Sequence, residues 1–297
     1  MRGLVSFPRS IAAWFDAHAR EVGADPRRID WLRQLPFIAI HAGLLALPWV
    51  GVSVGAVIVA LVLYALRMFA ITAFYHRYFS HHAFRTGRVA QFVFALLGAA
   101  AAQRGPLWWA SHHRHHHVHS DQPQDSHSAL HHGFAWSHLG WFMADGNFRT
   151  RTELVKSFAA FPELRFIDRF DALVPLLLLG ALYAAGGLQW VVWGFCVSTV
   201  LVYHATFSIN SLAHRFGSRR YATRDASRNN FWLALLTFGE GWHNNHHHYP
   251  ASARQGFYWW EIDLSWYGLK LLAAAGIVWD LKPVPVAARE AHKEQVQ

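Results

Sequence analysis

Two pairs of long apolar runs, 32–50 with 54–75 and 172–185 with 188–209, are each joined by a link of two or three residues, and each pair leads into a histidine cluster. A helix needs roughly 20 predominantly apolar residues to cross the hydrocarbon core of a bilayer, so each pair reads as a helical hairpin. The links, Gly51-Val52-Ser53 and Gly186-Gly187, contain glycines that take turn conformations closed to other residues. A hydrophobic share of 53% and a mean hydropathy of +0.12 place the chain in the membrane class. Neither link holds Lys or Arg, whereas 76–170 and the segment after 210 carry about ten each. The positive-inside rule then puts both of those segments in the cytoplasm. The net charge of +9 is scattered among apolar and aromatic stretches, which argues against a nucleic-acid partner. The single cysteine, Cys196, lies in an apolar run and forms no intrachain disulfide.

Three parts follow: a cytoplasmic N-terminal segment 1–30, a membrane domain 31–280 and a tail 281–297. The first thirty residues lack the apolar core of a targeting peptide. Within 11–20, Ile11, Trp14 and Phe15 share a face suited to a surface helix lying on the membrane. The run 89–110 holds Gln103, Arg104, Gly105 and Pro106, and reads as a partly embedded helix rather than a crossing. Tyr258, Trp259, Trp260, Trp266 and Tyr267 suit an interfacial belt beside a shallow helix over 264–278. The expected fold is an all-α integral membrane protein: four transmembrane helices in two hairpins, with a cytoplasmic helical cap carrying a dimetal site. The expected location is a bacterial inner membrane, with the site and both termini on the cytoplasmic side.

The clusters read His76-Arg77-Tyr78-Phe79-Ser80-His81, His113-Arg114-His115-His116-His117, Asn210-Ser211-Leu212-Ala213-His214 and His243-Asn244-Asn245-His246-His247. Residues three and four apart share a helix face, so His113 with His116 and His117, and His243 with His246 and His247, each aim into one space. Asn210 and His214 stand one turn apart. His76 and His81 lie about 140° apart on an ideal helix, so they converge only if the helix ends or loosens between them, near Tyr78 to Ser80. Nine histidines exceed the four ligands of a tetrahedral ion, so two ions are expected. Imidazole suits iron, zinc, copper and nickel alike.

In these boxes the chain resembles the membrane-bound fatty acid desaturases, in particular the acyl-CoA Δ9 (stearoyl-CoA) branch. The forms H-x-x-x-x-H, H-x-x-H-H and H-x-x-H-H occur in order, with N-x-x-x-H on the last apolar helix. Gly239-Glu240-Gly241 and Ser137-His138-Leu139-Gly140-Trp141 accompany them. The resemblance implies an O2-dependent oxidoreductase that inserts a cis double bond into a saturated acyl chain at a pair of iron ions. It implies His76, His81, His113, His116, His117, His214, His243, His246 and His247 as ligands, Asn210 acting through water, and a bent tunnel shaped by Gln103, Trp109 and Thr206. Tyr64 would close that tunnel and set chain length. Zinc is a foreseeable substitute in purified protein. The implied partners are an acyl substrate, most simply acyl-CoA, the bilayer, and a separate electron donor such as ferredoxin, rubredoxin or cytochrome b5 with its reductase.

Several alternatives remain open on sequence grounds. His112, His115 and His116 also satisfy H-x-x-H-H, so His112 and His115 compete with His113 and His117 as ligands. Acyl-CoA enzymes carry basic residues where this chain has Ser111-His112 and Ala144-Asp145-Gly146-Asn147. Arg149, Arg151 and Lys156 are the nearby substitutes, and an acyl carrier protein or a lipid is the alternative carrier. A fatty acyl hydroxylase of the same superfamily and, remotely, a membrane metal transporter are the competing functions. His18, His41, His204 and His292 read as isolated satisfied residues, and His82, His119, His127, His131, His132, His138 and His248 as flanking or loop residues. Glu240 reads as a carboxylate orienting a ligand imidazole.

Overall fold

The computed structural model describes residues 11–18 and 27–291. The chain is mostly helical, and its one sheet among the described residues pairs Arg85–Thr86 with Val278–Trp279. Two helices, Val54–Ser80 and Leu173–Leu212, are long and apolar enough to cross a membrane, and a shorter apolar rod covers Leu35–Val50. Exposed large apolar side chains crowd these elements: Trp49, Val54, Leu61 and Leu177 are each more than 60% exposed. That pattern, wasteful in water, is what a lipid-facing surface requires.

The turns fall where the glycines stand. Gly51 has φ +64°, Ser53 caps the following helix by accepting from Ala56 N, and Gly187 has φ +62°, interrupting the helical run Leu173–Leu212. The two links lie together: Gln189 Nε2 donates to the Val50 carbonyl at 2.9 Å, and Trp193 Nε1 to that of Gly51 at 2.9 Å. The first and third histidine clusters, reaching His81 and His214, sit at the opposite ends of the helices that leave these links.

One expectation is corrected. The run 89–110 is not one helix but two, Arg88–Ala99 and Pro106–His119, separated by a loop in which Ala102 and Arg104 hold positive φ. The expected end or loosening near Tyr78 to Ser80 takes both forms: the helix widens to π over Ala70–Ser80 and ends at Ser80, just before His81. Its i→i+5 hydrogen bonding places residues five apart near one another. Thus the imidazoles of His76 and His81 meet at 5.0 Å between ring centroids. Among the described N-terminal residues, Ile11 and Ala12 are helical and turns follow, with Trp14 Nε1 donating to the Leu32 carbonyl; residues 19–20 of the expected surface helix and His292 lie outside the described residues.

A second π-helical stretch, Val191–Val197, packs against the first long helix. Between them sits Arg67, 1% exposed. All five of its N–H donors find neutral oxygens: the carbonyls of Leu63, Ala100 and Gly194 and the hydroxyls of Ser198 and Thr199.

Candidate metal centre

Four chain segments deliver the nine predicted histidines to one place. The π-helix end supplies His76 and His81, helix Pro106–His119 supplies His113, His116 and His117, the residue just past Leu212 is followed closely by His214, and the short helix His243–His248 supplies the last three. The donors fall into two groups, each with ligand atoms within 4.8 Å of one another: His76, His81, His113, His117 and His246 in one, and His116, His214, His243 and His247 in the other.

Their spacings carry chemical information. Nε2 pairs stand 3.0 Å apart in His76–His246 and 2.9 Å in His81–His113, His117–His246 and His214–His243. Two nitrogens bound to one ion at about 2.0–2.1 Å and at right angles stand about 2.9 Å apart. The opposite edge of several rings is held by a carboxylate: His116 Nδ1 to Asp125 at 3.0 Å, His214 Nδ1 to Asp121 at 2.7 Å, His247 Nδ1 to Asp225 at 2.6 Å, and His76 Nδ1 to Glu240. A ring nitrogen facing a carboxylate donates its proton there, leaving Nε2 as a lone pair. In His247 that Nε2 is buried and has no hydrogen-bond partner among the described residues. A cation supplies the missing partner, so the residues fit a metal.

Protonation states agree. Burial, reinforced by repulsion between neighbouring imidazoles, holds His81, His113, His117, His243 and His246 well below the ordinary histidine value. Burial brings His247 down to about 4 despite the opposing pull of Asp225. His116 goes the other way: burial opposes its charge, but Asp125 in contact, with Asp121 and Asp225 beyond, raises it. Burial pushes Asp121 up, but the His214 hydrogen bond and charge, with hydrogen bonds from Ala226 and Ser128, together bring it down to about 2. Neutral imidazoles ready to coordinate therefore prevail near pH 7.

Buried arginines align the segments. Arg77 reaches Glu240, Asp263 at 2.9–3.0 Å and the Ala253 carbonyl, tying the first box to the last. Arg114 donates to the carbonyls of Phe79, Ser80 and Leu154 at 2.7–2.8 Å, clamping the π-helix end beside His81. Neither role was foreseen, nor were Asp121, Asp125 and Asp225. The competing histidines go elsewhere: His112 Nε2 donates to the Arg149 carbonyl at 3.1 Å, and His115 lies beside His119. His127 adjoins the four-histidine group through Asp125, 3.7 Å away. His41, His204 and His138 hydrogen-bond in series at 3.2 and 2.9 Å.

Two cavities meet at this centre. A small one of about 50 Å³ is lined by His76, His116, His243 and Thr72; a larger one of about 520 Å³ runs among Phe37, Ile40, Leu176 and Leu179, with Arg33, Gln34, Arg104 and Asp171 also on its wall. Trp109, His113, Thr206 and Asn210 line both. Gln103, on the larger cavity, donates from Nε2 to Thr206 Oγ1 at 2.8 Å. Tyr64 lines neither cavity; its hydroxyl donates to the Leu236 carbonyl at 2.5 Å, next to Thr237 on the small one.

The sequence profile of the fatty acid desaturases matches residues 49–278, most of the chain. The chain belongs to the fatty acid desaturase family. An sn-1 stearoyl-lipid 9-desaturase of Anabaena variabilis is 39% identical over 86% of this chain and 94% of its own length. An acyl-CoA 5-desaturase of Anemone leveillei is 38% identical over 75% of this chain and 68% of its own. A palmitoyl-monogalactosyldiacylglycerol delta-7 desaturase of Arabidopsis thaliana is 44% identical over 70% of this chain and 57% of its own. This desaturase is therefore an oxidoreductase of lipid metabolism with histidine clusters compatible with a metal site. The two groups of imidazoles, the apolar cavity beside them and the helices able to cross a membrane are its working parts.

Proposed function

We propose that this desaturase removes two hydrogens from adjacent methylenes of a long acyl chain, leaving a cis double bond at Δ9. The observation that carries the reading is that the two cavities share Trp109, His113, Thr206 and Asn210 and together touch His76 and His113 of one histidine group and His116 and His243 of the other. A pair of iron ions would be held by His76, His81, His113, His117 and His246 and by His116, His214, His243 and His247, with Asn210 acting through water. When bound, they supply the O2 activation that an unactivated methylene demands. The protein's own residues do the positioning. Apolar walls exclude water, Trp109 with the Gln103–Thr206 pair bends the chain where the cavities meet, and Tyr64 backs the far end from behind the Thr237 wall.

The carrier we favour is a membrane lipid. The larger cavity is walled by Ile40, Leu176 and Leu179 from apolar helices, an approach suited to a chain arriving from the bilayer. Its guanidinium groups are already engaged, Arg33 with Asp145 at 3.1 Å and Arg104 with Asp171 at 2.6 Å. Arg149, Arg151 and Lys156, the sequence candidates for CoA phosphates, are not on its wall. Acyl-CoA stands as the second reading, since the Anemone relative is named for it. We place four crossings in a bacterial inner membrane, with the metal centre and termini cytoplasmic and electrons supplied by a separate carrier.

Expression in a host without desaturases, followed by mass spectrometry of lipid classes with double-bond localisation, tests this. Unsaturation first appearing in intact glycerolipids and vanishing in His113→Ala is expected. Products carrying a hydroxyl group would refute the desaturase reading, and unsaturation appearing first in acyl-CoA would transfer it to the second carrier.

A further inference from the structure

The two histidine groups differ in how they reach the protein surface. The carboxylate of the five-histidine group, Glu240, is buried with Arg77 and Asp263, the latter fully so. The four-histidine group instead connects to a surface loop by two routes. Asp225 bonds His247 at 2.6 Å, and Ala226 N donates at 2.9 Å to Asp121, which bonds His214 at 2.7 Å. That loop, 215–228, carries Arg215, Arg219, Arg220, Arg224 and Arg228; Asp225 is its sole acid, with a side chain only 8% exposed and turned inward. Arg215, Phe216 and Arg224 are exposed, Phe216 at 59%. The loop is braced from within, since Asn244 Oδ1 accepts from Arg220 N and Tyr221 N at 2.8 Å and Ser218 bridges Asn229. A rigid cationic rim around an exposed aromatic is the anatomy of a docking patch for an acidic protein.

The reaction says which acidic protein. Desaturation balances as RCH2–CH2R + O2 + 2 H+ + 2 e− → RCH=CHR + 2 H2O, so two electrons enter from outside. The single cysteine of this sequence cannot hold an iron–sulfur cluster, which takes four ligands. We propose that loop 215–228 is the docking face for a small acidic one-electron carrier, whose electrons enter the four-histidine group through the Asp225–His247 and Asp121–His214 hydrogen bonds. This rests on the desaturase reading above. The loop also follows the last apolar helix closely, where arginines can meet anionic lipid head groups; hydrogen bonds to ligand imidazoles have no use in lipid binding and favour the carrier.

The test uses the metal-loaded enzyme in phosphatidylcholine nanodiscs, with a reduced, acidic [2Fe–2S] ferredoxin as probe. Arg215→Gln/Arg224→Gln and Arg215→Glu/Arg224→Glu are compared with Arg85→Gln/Arg88→Gln and Arg85→Glu/Arg88→Glu, which change net charge by the same amounts elsewhere. Expected are ferredoxin binding weakened about tenfold or more with a flatter salt dependence in the loop variants only, and unchanged turnover with dithionite. Wild-type binding in both loop variants overturns the proposal, as does a defect confined to flotation on phosphatidylglycerol vesicles. Absence of unsaturated product from wild type with dithionite would count against the desaturase reading instead, while the binding comparison still decides the docking face.

Discussion

Gln103 and Thr206, 103 residues apart in sequence, are joined by a 2.8 Å hydrogen bond from the Gln103 amide to the Thr206 hydroxyl, at the point where the two cavities meet. The hydroxyl also donates backward to the carbonyls of Val202 and Tyr203, so the pair anchors a loop with strained backbone at Ala102 and Arg104 to a helix. Thr206→Val removes the acceptor while keeping the shape, leaving a buried amide unsatisfied at a cost of about 1–3 kcal/mol. The expected outcome is a lower melting temperature together with a broader distribution of double-bond positions, read by mass spectrometry. An unchanged product profile would show that the pair holds the fold but does not bend the substrate.

Three carboxylates serve the four-histidine group and one serves the five-histidine group. Partners of this kind raise ligand basicity and fix ring orientation, and losing one typically costs about 10–100-fold in metal affinity. Asp225→Asn and Asp121→Asn should therefore each lower retained metal from two ions toward one under a weak chelator. Glu240→Gln should weaken the other ion. Metal analysis across a chelator titration checks this, and loss of both ions in parallel from every variant would contradict separate sites.

The ligand histidines were legible because their spacing is set by helix geometry, and their chemistry leaves few alternatives. The second box was ambiguous in sequence; in space His112 turns to the Arg149 carbonyl while His113 joins the cluster. What stayed hidden was longer in range or subtler in backbone. The five-residue spacing told that the helix ends or loosens before His81, but not that it does so as a π-helix eleven residues long, which leaves no mark in hydrophobic periodicity. Glu240 was legible as an orienting carboxylate, but it serves His76 from another segment rather than its own box. Asp121, Asp125 and Asp225 belong to loops whose positions depend on the whole fold. His41 and His204 were read as isolated residues and His138 as a loop residue; they are partners of one another.

Tyr64 is held by the Leu236 carbonyl and packs edge-on against Phe238 at 6.2 Å, one residue beyond the wall of the small cavity. Tyr64→Ala should open that wall and admit chains longer by two or more carbons, at a stability cost of about 2–4 kcal/mol for a large partly buried aromatic. Product chain lengths from a mixed saturated pool measure the effect. Identical lengths in variant and wild type would place the stop elsewhere.

Arg67 binds five neutral oxygens between two long helices. Arg67→Leu strands the carbonyls of Ala100 and Gly194 and the hydroxyls of Ser198 and Thr199 in an apolar setting, each costing about 1–3 kcal/mol. The variant should unfold at a markedly lower temperature in detergent, whereas Arg67→Lys, with three donors, should recover only part of the loss. Unaltered melting in Arg67→Leu would show that water or lipid satisfies these groups equally well.

Acid should destabilise the metal-free protein in a defined window. His247, at about 4, and His127, brought down to about 3 by burial, remain neutral in the fold, as do the more deeply depressed ligands. In the unfolded chain these histidines titrate near 6.5. Between pH 6.5 and about 4 the unfolded state binds more protons, so stability rises with pH there and falls as pH drops. Asp171 opposes this: burial raises it to about 6, so it binds its proton more tightly in the fold and favours the folded state on acidification. His116, raised by Asp125, and Asp168, raised by burial, oppose it in the same sense, but these few groups are outnumbered by the several depressed imidazoles, and the net slope stays positive. Bound metal requires the same lone pairs and steepens the dependence. Thermal melts of apo and metal-loaded protein from pH 7 to pH 4 should diverge most at neutral pH and converge toward pH 4; an apo melting temperature flat across that range would mean the imidazoles are already protonated or solvated in the fold.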